Sequence, residues 1–307
     1  MNTDTPMREI AAGLRFPEGP VALPDGSILV VEIARGTLTR VMPDGARSVV
    51  ATLGGGPNGA AIGPDGRCYV CNNGGFNWHE EGGFLRPTGQ AEDYSGGRIE
   101  RVDLATGTTE ILYRGCGENS LKGPNDIVFD RHGGFWFTDL GKVRKRDQDR
   151  GAVYWARADG SEIREVIQPM VHPNGISLSP DGRTLYVAES LPGRLWAFEI
   201  AGPGEIRKLP WPSPNGGRLV CGLPDYQLFD SIAVEAGGNI CCATLVRGAI
   251  TVIAPDGRIV EQVPMGDHYT TNICFGGPGL RTAYVTLSHT GRLIALDWPR
   301  PGLRLAY

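Results

Sequence analysis

Six times along this chain a short polar anchor is followed, seven residues later, by a turn and then a β-rich run, and no other feature constrains the fold as much. The anchors lie in Pro17-Glu18-Gly19, Pro57-Asn58-Gly59, Pro124-Asn125-Asp126, Pro173-Asn174-Gly175, Phe229-Asp230-Ser231 and Thr271-Asn272-Ile273. Seven residues beyond the anchors come Asp25, Asp65, His132, Asp181, Gly237 and Gly279. Anchor-to-anchor spacings are 40, 67, 49, 56 and 42, so length varies between the copies while the offset inside each stays fixed. A second strand pair follows every copy, as in 36–41 and 47–52, with Asp-Gly or other glycine-containing connectors that suit hairpin turns. By the same reading 205–209 closes the fourth unit and 303–306 the sixth, and 7–14 is a further strand that adds to the sixth.

Four strands in each of six units predict an all-β fold, a six-bladed β-propeller, forming a single domain over 1–307. Composition agrees: 45 glycines and 23 prolines supply turns, while 41% hydrophobic residues supply a large core. A net charge of −4 without a basic stripe argues against nucleic acid as a partner. No apolar run reaches membrane-spanning length, and the first thirty residues lack a secretory pattern. Seven scattered cysteines suit free thiols in a reducing, cytoplasmic setting. Cys68 and Cys71 sit three apart in a strand-like run and point to opposite faces, as do adjacent Cys241 and Cys242, so packing is favoured over zinc or redox chemistry.

The first strand of each blade lines the channel, so the six anchors form a ring at one mouth. Singly, Asn or Asp at a strand start satisfies local backbone groups. Six in register make an oxygen-rich ring that suits a hard divalent cation such as Ca²⁺, Mg²⁺ or Mn²⁺. Glu18 is the most telling member, since turn capping favours Asn or Asp; one ion cannot take all six, which leaves Asn58 and Asn272 open. The long connection 72–96 carries its own aromatics and reads equally as a lid or as a decorative insertion or oligomer contact. Segment 142–150 reads as a solvated loop bordering the site, and 212–228 as an inter-blade connection. His172, His268, Tyr226 and Tyr269 are within reach of the mouth, although a lone histidine there is more often structural.

Phe16-Pro17-Glu18-Gly19-Pro20, Gly123-Pro124-Asn125-Asp126, Phe137-Thr138-Asp139 and His172-Pro173-Asn174-Gly175 resemble the regucalcin/gluconolactonase (senescence marker protein-like) family over essentially the whole chain. The resemblance implies one divalent cation in the channel, held by Glu18, Asn125, Asn174 and Asp230; where only three ligands are used, Asn125 contacts substrate or water instead. Ca²⁺ ranks ahead of Zn²⁺, Mn²⁺, Mg²⁺ and Fe²⁺. Two departures stand out: Gly123 occupies a place where many animal members carry a sugar-binding Arg, and Phe229-Asp230-Ser231 replaces Pro-Asp-Gly. The bacterial sugar-lactonase branch is the nearer match.

The expected function is therefore metal-dependent hydrolysis of a sugar lactone in carbohydrate metabolism, with Asp230 as general base and a small-molecule lactone as partner. Asn58, His79, Glu81 and Arg86, with Asn125, are the candidate substrate contacts. No Gly-x-Ser-x-Gly motif supports a serine nucleophile. The alternatives are an organophosphate or other ester hydrolase on the same metal site, and a non-catalytic metal- or ligand-binding propeller.

Overall fold

A computed structural model describes residues 6–307; residues 1–5 of the expected 1–307 domain lie outside the described residues. The strands form six antiparallel blades. Their inner strands are Pro17–Ala22, Pro57–Ile62, Pro124–Phe129, Pro173–Leu178, Leu228–Val234 and Thr270–Gly276. Each touches the next, and the last touches the first, so the six-bladed propeller closes.

The fixed offset has a local cause. In blade one, Asp25 Oδ1 accepts the Ser27 N–H at 3.0 Å while Leu23 O accepts the Gly26 N–H at 3.0 Å, closing the turn to the second strand. Asp65 and Asp181 do the same for the N–H groups of Arg67 (3.2 Å) and Arg183 (3.0 Å). In blade three Asp130 takes the role, accepting from His132 at 2.7 Å and Gly134 at 3.1 Å. These carboxylates build turns by local side-chain-to-backbone bonds and are not part of the site.

Six hydrophobic clusters hold the ring, one at each junction between neighbouring blades. Alternating side chains on a twisted strand feed the clusters on both sides, and each fully buried Leu, Ile or Phe stabilises the ring by about 1.5–3 kcal/mol. Cys68 and Cys71 enter different clusters, as do Cys241 and Cys242. All seven cysteines are free.

Two outer strands differ from expectation. The sixth blade is completed by Arg8–Ala11, paired with Arg292–Asp297, and not by 303–306. Pro299 and Pro301 lack the N–H groups a ladder needs, so the chain leaves the sheet after Asp297. Arg300 bonds buried Glu235 at 2.7 Å and draws the tail to blade five. Leu303 N–H then bonds Val234 O at 2.8 Å, and Tyr307 reaches the Phe129 ring with centroids 5.7 Å apart. The tail thus crosses the channel end opposite the anchors, beside a cavity of about 320 Å³. In blade four the outer position is shared: Glu205–Arg207 and Arg218–Gly222 both pair with Arg194–Gly202. Part of the supposed inter-blade connection 212–228 is therefore strand.

Candidate metal centre and active site

All six anchors are buried, and each lies where the inner strand slips register against its neighbour. In blade one the slip falls between Glu18 and Val21. A bulge re-aims the side chain at that point, here toward the channel. The glycines that follow several anchors serve the ring more than the mouth. A Cβ on Gly59 would lie 2.3 Å from the Asn125 carbonyl oxygen and 2.8 Å from Asp126 Oδ1, so its absence lets two inner strands approach.

Glu18 Oε2 accepts from the Gly19 N–H and from Asn272 Nδ2, both at 2.7 Å. Asn272 Oδ1 accepts the Ile273 N–H at 2.8 Å, so this anchor holds Glu18 in place. The Asn174 amide lies close enough to Asp230 to favour its charged form. The amide oxygens of Asn125 and Asn174 are buried and have no donor. Asn58 is buried in the same ring.

Asp126 was not singled out from the sequence, yet its charge acts on Asp230 and it in turn feels Glu18. Its only signal was its place beside an anchor. Burial first, then mutual repulsion, raises Asp126 and Asp230 well above the carboxylate range. Burial raises Glu18 to about 7 against its hydrogen bonds. Three carboxylates crowded with two orphaned amide oxygens fit a hard cation, which would supply both the missing donor partner and the missing positive charge. Among the described residues no group of three or more His, Cys, Asp or Glu side chains has metal-site geometry, so a cation here would also need the amide oxygens.

The Phe137-Thr138-Asp139 run supports the ring. Thr138 Oγ1 accepts the Asp126 N–H at 3.1 Å and donates to Asn174 O at 2.6 Å. Asp139 accepts N–H groups of Lys122, Gly123 and Gly141 at 2.7–2.9 Å and fixes the entry to the third anchor.

The connection 72–96 contains a hairpin, Phe76–Glu81 paired with Phe84–Gln90. It spans the anchor face. Gln90 N–H bonds Val143 O at 2.9 Å at its base, Leu85 N–H bonds His289 O at 3.2 Å at its tip, and Arg15 makes two 2.8 Å bonds to Glu80. Trp78 packs on Phe16, centroids 5.0 Å apart, and Phe16 on Tyr269 at 5.8 Å. Arg86 is exposed, and its charge acts on half-buried Tyr269, as does that of Asp230. His79 and Glu81 bond each other at 3.3 Å on the exposed side, with Glu81 86% exposed, and are not joined to the ring. His268 is exposed and bonded to Val246 O at 2.8 Å.

Lys142 corrects the reading of 142–150 as a solvated loop: it is 1% exposed. Its Nζ bonds Asn73 Oδ1 at 3.1 Å and Gly75 O at 2.9 Å, and lies 4.2 Å from the Phe76 ring centre. Burial lowers it to about 7.

Fold and site together define a six-bladed propeller with an oxygen-donor centre in its channel. The chain belongs to the family described as SMP-30/Gluconolactonase/LRE-like region, which matches residues 16–289. Gluconolactonase of Zymomonas mobilis is 24% identical over 319 residues, covering 94% of this chain and 81% of that protein. Lactonase drp35 of Staphylococcus haemolyticus is 26% identical over 250 residues, covering 81% and 69%. Among solved structures, a gluconolactonase of Xanthomonas campestris aligns with TM-score 0.74 at 23% identity, covering 95% of this chain and 89% of that one. The calcium-binding protein regucalcin of Agrobacterium tumefaciens aligns with TM-score 0.71 at 19% identity, covering 95% of each.

Proposed function

We propose that this protein is a metal-dependent lactone hydrolase that opens a sugar (aldono-)lactone to the corresponding sugar acid, acting on a carboxylic ester bond. The observation that carries the reading is the channel ring itself: buried Glu18 and Asp230 beside two amide oxygens that lack donors. Membership of a family whose relatives are named gluconolactonase and lactonase supports the reaction class.

Glu18, Asn125, Asn174 and Asp230 would hold one divalent cation, and the likeness to the calcium-binding protein regucalcin supports Ca²⁺ ahead of Zn²⁺, Mn²⁺, Mg²⁺ or Fe²⁺. When bound, such a cation supplies Lewis-acid polarisation of the lactone carbonyl. Asp230 is the general base: it takes a proton from a water whose oxygen bonds to the carbonyl carbon. The ring carbon–oxygen bond then breaks, and that proton passes to the departing ring oxygen. Asn272 keeps Glu18 oriented through its 2.7 Å bond. Asn58 and Asn125 are the inner substrate contacts of this reading, and Arg86 an outer one near Tyr269. His79 and Glu81, bonded to each other and exposed, contribute only if the hairpin moves. The protein acts as a single domain on a free small molecule, and its seven free thiols support the cytoplasm.

Ring opening of glucono-, xylono- and arabinono-lactones, followed by proton release, tests the proposal. Chelation is expected to abolish turnover, added Ca²⁺ to restore it, and Asp230→Asn to lower kcat by about 10²–10⁴-fold. Unchanged turnover in chelator or in the variant would refute the mechanism.

A further inference from the structure

Unpartnered polar groups lie in two tiers of the channel mouth. In the anchor tier they are the amide oxygens of Asn125 and Asn174, both acceptors, and the Ser231 hydroxyl, which can donate or accept. One tier nearer the hairpin they include donors. Asn73 Oδ1 accepts from both Lys142 Nζ, 3.1 Å, and the Gly75 N–H, 2.9 Å, which fixes the amide orientation and leaves buried Asn73 Nδ2 without an acceptor. Lys142 Nζ uses two of its three N–H groups, on Asn73 and Gly75 O. Among the described residues no carboxylate bonds its Nζ, although the charges of Asp139 and Asp149 act on it. His172 Nδ1 is also buried and unpartnered, and the Lys142 charge reaches its ring.

These residues belong to the mouth. His172 stands two positions before anchor Asn174, and a Cβ on Gly56, two before anchor Asn58, would sit 2.4 Å from Asn73 Oδ1. A buried ammonium is normally paired, and leaving it unpaired is costly. What is missing here is a directly bonded acceptor, and the acceptor that binds an ammonium most strongly is a carboxylate.

We propose that Lys142, Asn73 and His172 form an anion subsite that binds a carboxylate carried by the substrate, so that the preferred lactones bear an acid group remote from the ring carbonyl. This rests on the lactone reading and narrows its substrate class. Lys142 is a positioning residue: it holds the far end of the substrate while the anchor ring engages the carbonyl end. The Phe76 ring covers Lys142, so binding at this subsite requires the base of the hairpin to move aside as the substrate enters.

Binding of ring-opened acids tests the subsite without requiring turnover. Calorimetry on the Ca²⁺-loaded full chain would compare glucarate and galactarate, acidic at both ends, with gluconate and galactonate, acidic at one. The wild type is expected to bind the diacids about 10–100-fold more tightly, the range of a charged hydrogen bond. Lys142→Met should abolish that preference and leave monoacid affinity within about twofold, with a cooperative thermal transition showing that the variant folds. Lys142→Gln, which keeps a donor but not the charge, serves as the second variant if the first fails to fold. Equal affinity of wild type for the two acid classes, or a diacid preference retained in the variants, overturns the proposal. Failure of the lactone reading shows separately, as absent ring opening with diacid preference intact.

Discussion

Glu18→Gln turns channel electrostatics into a measurable stability. The substitution keeps the shape of the side chain, and its amide oxygen can still accept from Gly19 and Asn272, but it removes the ionisation. In the folded, metal-free protein Glu18 sits at about 7 against an ordinary 4.5, because burial disfavours its charge. A carboxyl raised on folding favours the native state below its unfolded pKa, and that advantage is lost as pH rises through the folded value. Between pH 4.5 and 7 wild type therefore loses about 3 kcal/mol that the variant keeps, from a rise of about 2.5 units at 1.36 kcal/mol each. His172, lowered to about 4 by burial and by the Lys142 charge, acts in the opposite direction over an overlapping window. It is present in both proteins and cancels in their difference, whereas Asp126 and Asp230, each raised in part by the Glu18 charge, ionise more readily in the variant and add to its gain. In chelator the variant should gain on wild type by about 5 °C in Tm between pH 5 and 8. With excess Ca²⁺ the order should reverse, because binding stabilises only the protein that retains the ligand. Thermal unfolding followed by circular dichroism in both conditions measures this. A Tm difference that stays flat with pH in chelator, or moves the other way, would refute the account of a desolvated carboxylate cluster.

Gly59→Ala should lower stability by about 2 kcal/mol or more, since the new Cβ meets the Asn125 carbonyl oxygen at 2.3 Å, and Ca²⁺ affinity should fall with it as the third anchor shifts; denaturant melts and calorimetry check both. Ile10→Asp places a charge in the cluster that seals the last blade to the first, and should cost about 3 kcal/mol in urea unfolding, whereas Leu305→Asp, at a 56% exposed tail position, should cost less than about 0.5 kcal/mol.

Much of the fold is legible in the chain because its determinants are local. An Asp at the turn, as in Asp25, Asp65 and Asp181, caps backbone groups two residues away, so the turns repeat as a pattern in sequence. Anchor identity reads out for the same reason, as a fixed distance from those turns. Blade closure does not: whether 8–11 or 303–306 fills the last position depends on a pairing between chain ends and on prolines that divert the tail. Asp126 escaped notice because its partners, Glu18 and Asp230, come from other blades. Lys142 misled for a related reason. In sequence it opens a highly charged run, but the connection 72–96, distant in chain order, covers it with Phe76 and supplies its acceptors from Asn73 and Gly75.

By itself, then, the sequence determined the repeat, the six blades and the oxygen chemistry of the ring, since strand period, turn chemistry and anchor spacing act over fewer than ten residues. Tertiary structure alone decided which carboxylates meet, which amide atoms are left without partners, and that one lysine is buried with no carboxylate bonded to its Nζ. Burial and charge–charge distance are properties of packed neighbours, and the neighbours here arrive from blades far apart in the chain.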